Sequence, residues 1–166
     1  ERLTKGHTAA DIARALDVLR GADIPMRPSL VAFTPWINLR DYARMLDFVE
    51  KNGLVDHIDP VQYTIRLLVP PGSALLRASG TSEWIGPLDE EGFTYRWDHS
   101  DRRVDELHSR VSEIVACAAD RDQDPFVTFH EIRSLVAEFC GDSPHGVADF
   151  PDTLDRPRIP RLTEPW

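Results

Sequence analysis

Residues 61–69 read Val61-Gln62-Tyr63-Thr64-Ile65-Arg66-Leu67-Leu68-Val69, and the fold prediction starts from their alternation. The odd-numbered positions are all apolar and would share one face of a β-strand, because successive side chains of a strand point to opposite faces. Pro70-Pro71-Gly72 follows directly and would end the strand, since proline lacks the amide donor that pairing needs. These residues therefore predict a strand.

A second apolar run, Ser29-Leu30-Val31-Ala32-Phe33-Thr34, precedes this one and is typical of a strand buried on both faces. Periodic apolar positions predict a helix before each run, over residues 9–20 and 39–51, with Thr8 and Asn38 as the capping residues. The order helix, strand, helix, strand indicates right-handed crossover units and hence an α/β fold with mostly parallel strands.

The rest of the chain supplies a long connection and a third strand. Residues 70–91 are rich in glycine, proline and acidic residues, so we expect a connection with one short helix near Leu75. Phe93-Thr94-Tyr95-Arg96-Trp97 alternates aromatic residues and predicts a third short strand.

Two further helices are predicted after this strand. One spans residues 101–119 and is capped by Ser100; the other starts at a capping box of Thr128 and Glu131 and ends at Gly141. Three strands are too few for a closed eight-stranded barrel. We therefore predict a partial (β/α) half-barrel over residues 1–119, a C-terminal helical segment over residues 120–141 and an irregular Pro-rich tail over residues 142–166.

Composition and charge narrow the class of protein. The chain has 166 residues, of which 42% are hydrophobic, so it can bury one core. A net charge of −9 disfavours nucleic acid and anionic membranes as partners. No apolar run approaches the roughly 20 residues of a membrane span, and no signal peptide is visible. We expect a cytoplasmic protein. Because it starts at Glu1 and stops on Trp166, we also expect a piece of a longer chain.

Two clusters combine histidine with carboxylates, Asp56-His57-Ile58-Asp59 and Asp98-His99-Ser100-Asp101. Such groups can bind a metal or transfer protons, but turns and helix caps explain both clusters more simply, so we assign no metal ligand and no catalytic residue. Cys117 and Cys140 are too few for a disulfide framework, a zinc site or an iron–sulfur cluster, and we expect both in the core.

The strand ends are the candidate binding site. In parallel α/β folds ligands bind at the carboxyl ends of the strands, which here are Phe33-Thr34-Pro35-Trp36 on one strand and Leu67-Leu68-Val69-Pro70-Pro71-Gly72-Ser73 on the other. Apolar surface beside irregular backbone suits a flat ring such as a purine; alternatively, the prolines merely terminate the strands. Arg66 needs a partner or an anionic ligand, unless it lies on an edge that faces water.

Several motifs, in this order and spacing, resemble the later part of a radical S-adenosylmethionine enzyme. The closest likeness is to a bacterial subfamily whose chains end in a Cys-Ala-Glu-Pro or selenocysteine-Ala-Glu-Pro tail. The motifs are Lys5-Gly6-His7-Thr8, Val31-Ala32-Phe33-Thr34-Pro35-Trp36, Asp56-His57-Ile58-Asp59-Pro60-Val61-Gln62-Tyr63, Ile65-Arg66-Leu67-Leu68-Val69-Pro70-Pro71-Gly72-Ser73 and Arg161-Leu162-Thr163-Glu164-Pro165-Trp166.

The resemblance implies a parent enzyme in which a [4Fe–4S] cluster on a Cys-x3-Cys-x2-Cys loop cleaves S-adenosylmethionine to a 5′-deoxyadenosyl radical. It also implies that residues 33–35 and 67–69 border the adenine and that Arg66 faces the barrel interior. The cluster loop is absent from this sequence. We therefore expect the chain alone to be inactive and to bind neither cofactor tightly, while the parent acts on a small molecule or a peptide.

Two rival hypotheses belong to other classes of protein. One is a protein-interaction module without enzymatic activity that self-associates through the open edges of its small sheet. The other is a metal hydrolase built on His57 and His99 with their neighbouring carboxylates.

Overall fold

The structure, a computed structural model, describes residues 5–142, and four α-helices surround its core. The helices are α1 (Ala9–Gly21), α2 (Leu39–Lys51), α3 (Arg102–Asp120) and α4 (Pro125–Cys140). A hairpin of β1 (Ile85–Asp89) and β2 (Thr94–Trp97) lies before α3, and short 3₁₀ helices span Val55–His57, Pro60–Thr64, Ala74–Arg77 and Thr81–Glu83.

The predicted α/β half-barrel with mostly parallel strands is wrong. Helices form 55% of the described residues, and the sheet found among them is a two-stranded antiparallel hairpin, in which Ile85 lies opposite Trp97. The two runs predicted as parallel strands, residues 29–34 and 61–69, pair with each other only through one parallel bridge between Phe33 and Arg66.

Proline explains why the second run does not form a full strand. Pro60 opens a 3₁₀ helix that continues to Thr64, so the first half of the alternating run is helical. Tyr63 is therefore only 1% exposed while Val61, expected on the same face, is 49% exposed. Pro70 and Pro71 stop the extended part after Val69, because neither residue can donate a backbone hydrogen bond.

The extended parts nevertheless lie side by side. The amide of Phe33 donates to the carbonyl of Ile65 at 2.9 Å, and the amide of Leu67 donates to the carbonyl of Phe33 at 2.8 Å. On the other side, the amide of Tyr95 in β2 donates to the carbonyl of Val69 at 2.9 Å. Residues 65–69 thus connect residues 29–34 to the hairpin without forming a continuous sheet.

The helix starts test the predicted caps. Thr8 with Asp11 and Asn38 with Asp41 form complete capping boxes at α1 and α2, which confirms both predictions. Helix α3 is confirmed as well, although its cap is Asp101 and not Ser100.

The predicted start of the last helix is wrong. Helix α4 begins at Pro125 and is capped by Asp124, whose side chain accepts a hydrogen bond from the amide of Phe126 at 2.8 Å. Thr128 lies inside the helix, where its buried hydroxyl donates back to the carbonyl of Asp124 at 3.3 Å. Proline favours the first position of a helix, where its missing amide hydrogen costs nothing, and this places the capping residue four positions before the predicted one.

One apolar cluster joins α2, α3, α4 and the extended residues. Its most deeply buried side chains include Phe33, Tyr42, Leu46, Leu107, Val111, Phe129 and Ile132. Helix α1 contributes only Leu16 to it. Within residues 5–142, every helix is too short or too polar to cross a bilayer. Most of the predicted Pro-rich tail, from residue 143 onward, lies outside the described residues and includes the last of the resembling motifs.

Candidate functional site

A cavity of about 670 Å³ lies where the first extended run ends. Pro35 and Trp36 form one wall, residues 75–84 form another, and Asp98 and Ser100 close the third side. This volume falls within the roughly 300–1,000 Å³ that is usual for small-molecule sites. The cavity is therefore the candidate binding site of the described part of the chain.

Two indole rings meet in the lining. The ring centroids of Trp36 and Trp84 are 5.5 Å apart and the ring planes stand at 82°, which is the edge-to-face geometry that aromatic pairs prefer. Pro35, just before Trp36, is buried. The two half-buried indoles thus form an aromatic corner beside open space.

The loop that bears Trp84 is fixed by a buried hydroxyl. Thr81 is only 4% exposed, and its Oγ1 donates to the carbonyl of Leu75 at 2.6 Å, which ties the two short 3₁₀ helices together. Gly80 turns the chain between them with a φ of +78°, a left-handed conformation that a side chain would strain. These local contacts orient the wall formed by residues 75–84.

The third wall depends on the start of α3. Asp105 Oδ2 accepts a hydrogen bond from the amide of His99 at 2.9 Å. His99 Nδ1 accepts one from the amide of Asp101, also at 2.9 Å. The other ring nitrogen, Nε2, is buried and has no hydrogen-bond partner among the described residues. The His99 ring and Asp105 therefore position Asp98 and Ser100, the neighbours of His99, at the cavity.

Arg66, singled out by the sequence, has its own protein partners. Its guanidinium donates to Asp105 Oδ1 at 3.0 Å and to the carbonyl of Trp97 at 2.9 Å, and it lies 4.0 Å from the centroid of the Trp97 ring. The sequence left open whether Arg66 has a protein partner, an anionic ligand or a place on an edge that faces water, and the structure shows protein partners. Arg66 does not line the cavity. Its partner Asp105 also accepts a hydrogen bond from the amide of His99.

The other predicted site residues divide between core and surface. Phe33 is buried against Tyr42 and His108, with ring centroids 4.8 and 4.9 Å away, and Thr34 after it is half-buried. Of the residues predicted to border the adenine, only Pro35 lines the cavity, together with its neighbour Trp36 from the end of the same predicted strand.

The second predicted strand end turns away from the cavity. Leu67 is half-buried, Leu68 is 70% exposed and Val69 is fully buried. The carbonyl of Leu67 accepts the indole N–H of Trp97 at 2.8 Å. The adenine contacts assigned to residues 67–69 by resemblance remain a prediction.

Sequence reasoning missed most of the lining. Trp84 and Glu83 fall in the region predicted as a long connection, and neither was singled out. Asp98 and Ser100 were noted only as members of a histidine cluster. A tryptophan inside a stretch rich in glycine and serine was the available signal, since an aromatic residue in a polar loop usually packs against something.

The two histidine clusters have structural partners. His57 Nδ1 lies 2.9 Å from the carbonyl of Met26, and Asp59 forms an ion pair with Arg27. Within residues 5–142 no three histidine, cysteine or acidic side chains are grouped as metal ligands.

The two thiols differ from each other. Cys117 is exposed on α3, so the prediction that it fills the core is wrong, while Cys140 at the end of α4 is half-buried. Burial raises the pKa of the Cys140 thiol, which makes it less reactive.

No protein-family model, curated protein or solved structure matches this chain. The case for a function therefore depends on the sequence motifs and on the cavity.

Proposed function

We propose that this chain is the C-terminal part of a radical S-adenosylmethionine enzyme, in which another part of the protein supplies the iron–sulfur cluster. The observation that supports this most directly is the place of the cavity. The resembling motif of residues 31–36 ends in Pro35 and Trp36, and these two residues form a wall of the cavity. This chain would then contribute binding surface to the pocket of the larger enzyme.

The residues of this chain do not fit the cluster itself. Three thiolates close together are needed, whereas the whole sequence has two cysteines, and these lie on different helices, α3 and α4. We therefore assign no step of radical formation to this chain. Its own contribution is the shape, apolar surface and charge of the pocket.

The lining provides the groups that such a contribution needs. The indoles of Trp36 and Trp84 offer flat apolar surface, and the carboxylates of Glu83 and Asp98 are acceptors for hydroxyl or amino groups of a ligand. Closing this pocket around a reactive species would also exclude water from it, which suppresses side reactions.

The test compares residues 1–166 with the product of the complete reading frame that encodes them. Both are reconstituted anaerobically with iron and sulfide, and visible absorbance and release of 5′-deoxyadenosine from S-adenosylmethionine are measured after reduction. We expect a cluster and product from the complete protein and neither from residues 1–166. A complete protein that binds no cluster would overturn the proposal, as would a cluster on residues 1–166 alone.

A second candidate function, a protein-interaction module, is favoured by exposed apolar side chains on the extended runs. Val31 is 48% exposed and Leu68 is 70% exposed. The two segments that bear them pair with each other through a single bridge. Exposed apolar side chains such as these can pack against another chain. Sedimentation of variants at these positions, described below, tests this alternative.

A further inference from the structure

We infer that the cavity binds an organic cation, with an ammonium group placed between the indoles of Trp36 and Trp84 and the carboxylates of Glu83 and Asp98. All four residues lie in the cavity lining. The site is contained within residues 35–100, so this binding does not depend on the proposed radical chemistry.

The negative charge of the cavity lining favours a positively charged ligand. Glu83 and Asp98 both line the cavity, and no lysine, arginine or histidine does so among the described residues. Neither carboxylate forms a salt bridge or a side-chain hydrogen bond with another described residue. Asp89, by contrast, forms a salt bridge with Arg96. The cavity therefore presents two uncompensated negative charges, which would repel a phosphate or carboxylate ligand.

The aromatic corner selects an organic cation over a metal ion. A cation within about 6 Å of an indole centroid is attracted to the negative face of the ring. With the two rings 5.5 Å apart and nearly perpendicular, one ammonium group with its carbon substituents can contact both. Two carboxylates without a third ligand are a poor metal site, and an uncharged apolar ligand would gain no electrostatic attraction from either carboxylate.

The whole chain adds to this preference. Its net charge of −9 attracts cations over longer distances, which raises their local concentration at an acidic cavity. The hydrogen bond between the His99 amide and Asp105 holds the backbone next to Asp98, so this wall of the cavity is in place before a ligand arrives. A preorganised group loses less freedom on binding.

The test uses choline and its uncharged carbon isostere 3,3-dimethylbutan-1-ol, each titrated calorimetrically into residues 1–166. The two probes have nearly the same shape, so the difference in their affinities reports the charge alone. We expect saturable choline binding and an affinity at least tenfold lower for the isostere. Trp84→Leu and the pair Glu83→Gln with Asp98→Asn should each weaken choline binding by roughly three- to thirtyfold.

Two control variants separate the site from general effects. Glu113→Gln removes an exposed carboxylate on α3 outside the cavity and should leave choline binding unchanged. Trp84→Phe retains a ring and should lose less affinity than Trp84→Leu. If Trp84→Leu unfolds, as judged by circular dichroism, the exposed Glu83→Gln change alone decides the result.

Three outcomes would overturn the inference. They are equal binding of choline and the isostere, no saturable choline binding, and choline binding that survives the loss of both carboxylates. None of these measurements involves the iron–sulfur cluster. A negative result would therefore overturn the inference about cation binding without bearing on the proposed enzyme function.

Discussion

Two buried tyrosines differ by a single hydrogen bond. The hydroxyl of Tyr42 donates to the carbonyl of Tyr63 at 2.8 Å, whereas the hydroxyl of Tyr63 is buried without a partner among the described residues. Burial raises the pKa of both hydroxyls, so both stay protonated. Tyr42→Phe leaves a buried carbonyl unpaired and should cost about 1–2 kcal/mol, while Tyr63→Phe should be neutral or stabilising. Urea unfolding measures both changes, and equal losses would contradict this account.

His108 makes stability depend on pH. Burial lowers its pKa below the ordinary 6.5, the charge of Arg66 lowers it further, and the contact with the carbonyl of Thr64 opposes the shift. Because the unfolded chain takes up the proton first, this contribution to stability is complete above a pH of about 6.5 and is lost as the pH falls towards the lower folded pKa.

The measurement is the free energy of unfolding of the wild type and of His108→Gln between about pH 5 and 7.5. We expect the wild type to lose more stability on acidification than the variant, in which glutamine can still donate to Thr64. His7→Gln, at an exposed position before α1, is the matched control and should follow the wild type. Parallel curves for the wild type and His108→Gln would refute the assignment.

Arg66 shows how far single residues could be interpreted in advance. The sequence marked it as unusual because a charge in an apolar run needs a partner. It could not identify that partner, since Asp105 and the carbonyl of Trp97 come from elements far along the chain. Only the packing of α3 and β2 against residues 65–69 brings these groups together.

At the scale of elements, the hairpin beside the cavity depends on one glycine. A Cβ atom added at Gly86 in β1 would lie 2.9 Å from the carbonyl oxygen of Arg96 in β2. Gly86→Ala must therefore separate the strands and should destabilise the protein by roughly 1–3 kcal/mol. Gly21→Ala, at the end of α1 where a Cβ would meet nothing within 4 Å, should be neutral or slightly stabilising. Thermal unfolding distinguishes the two; a Gly86→Ala variant as stable as Gly21→Ala would show that the hairpin adjusts freely.

The helices were predictable because their signals are local. A cap, a periodic apolar face and a stop residue all lie within one segment, and α1, α2 and α3 form where these signals occur. Pairing of strands depends instead on distant partners, and the alternation in residues 61–69 gave no warning that Pro60 would start a 3₁₀ helix. At α4 two possible caps competed, and the proline after Asp124 determined the start.

The cavity forms only when distant parts of the chain come together, so its lining could not be predicted from local sequence patterns. Trp36 follows the first extended run, Trp84 precedes β1 and Asp98 follows β2, so three separate connections form one site. The sequence predicted one wall of a binding site at residues 33–36, of which Pro35 and Trp36 line the cavity. It placed the second wall at residues 67–69, because parallel strands would have brought that end alongside, and the hairpin region takes this place instead.

The same arrangement leaves apolar side chains exposed on the extended runs, and self-association remains a prediction. Leu68 has the largest exposure among them, and its segment pairs with residues 29–34 through one bridge. We expect concentration-dependent association in sedimentation velocity runs and its loss in Leu68→Lys. Val18→Lys changes an apolar side chain on α1 of similar exposure, 64% against 70% for Leu68, and should have no effect. Both variants reduce the net negative charge equally and thereby weaken repulsion between copies, so a loss of association confined to Leu68→Lys would be specific to the surface around Leu68. A strictly monomeric wild type would contradict the prediction and count against the protein-interaction module.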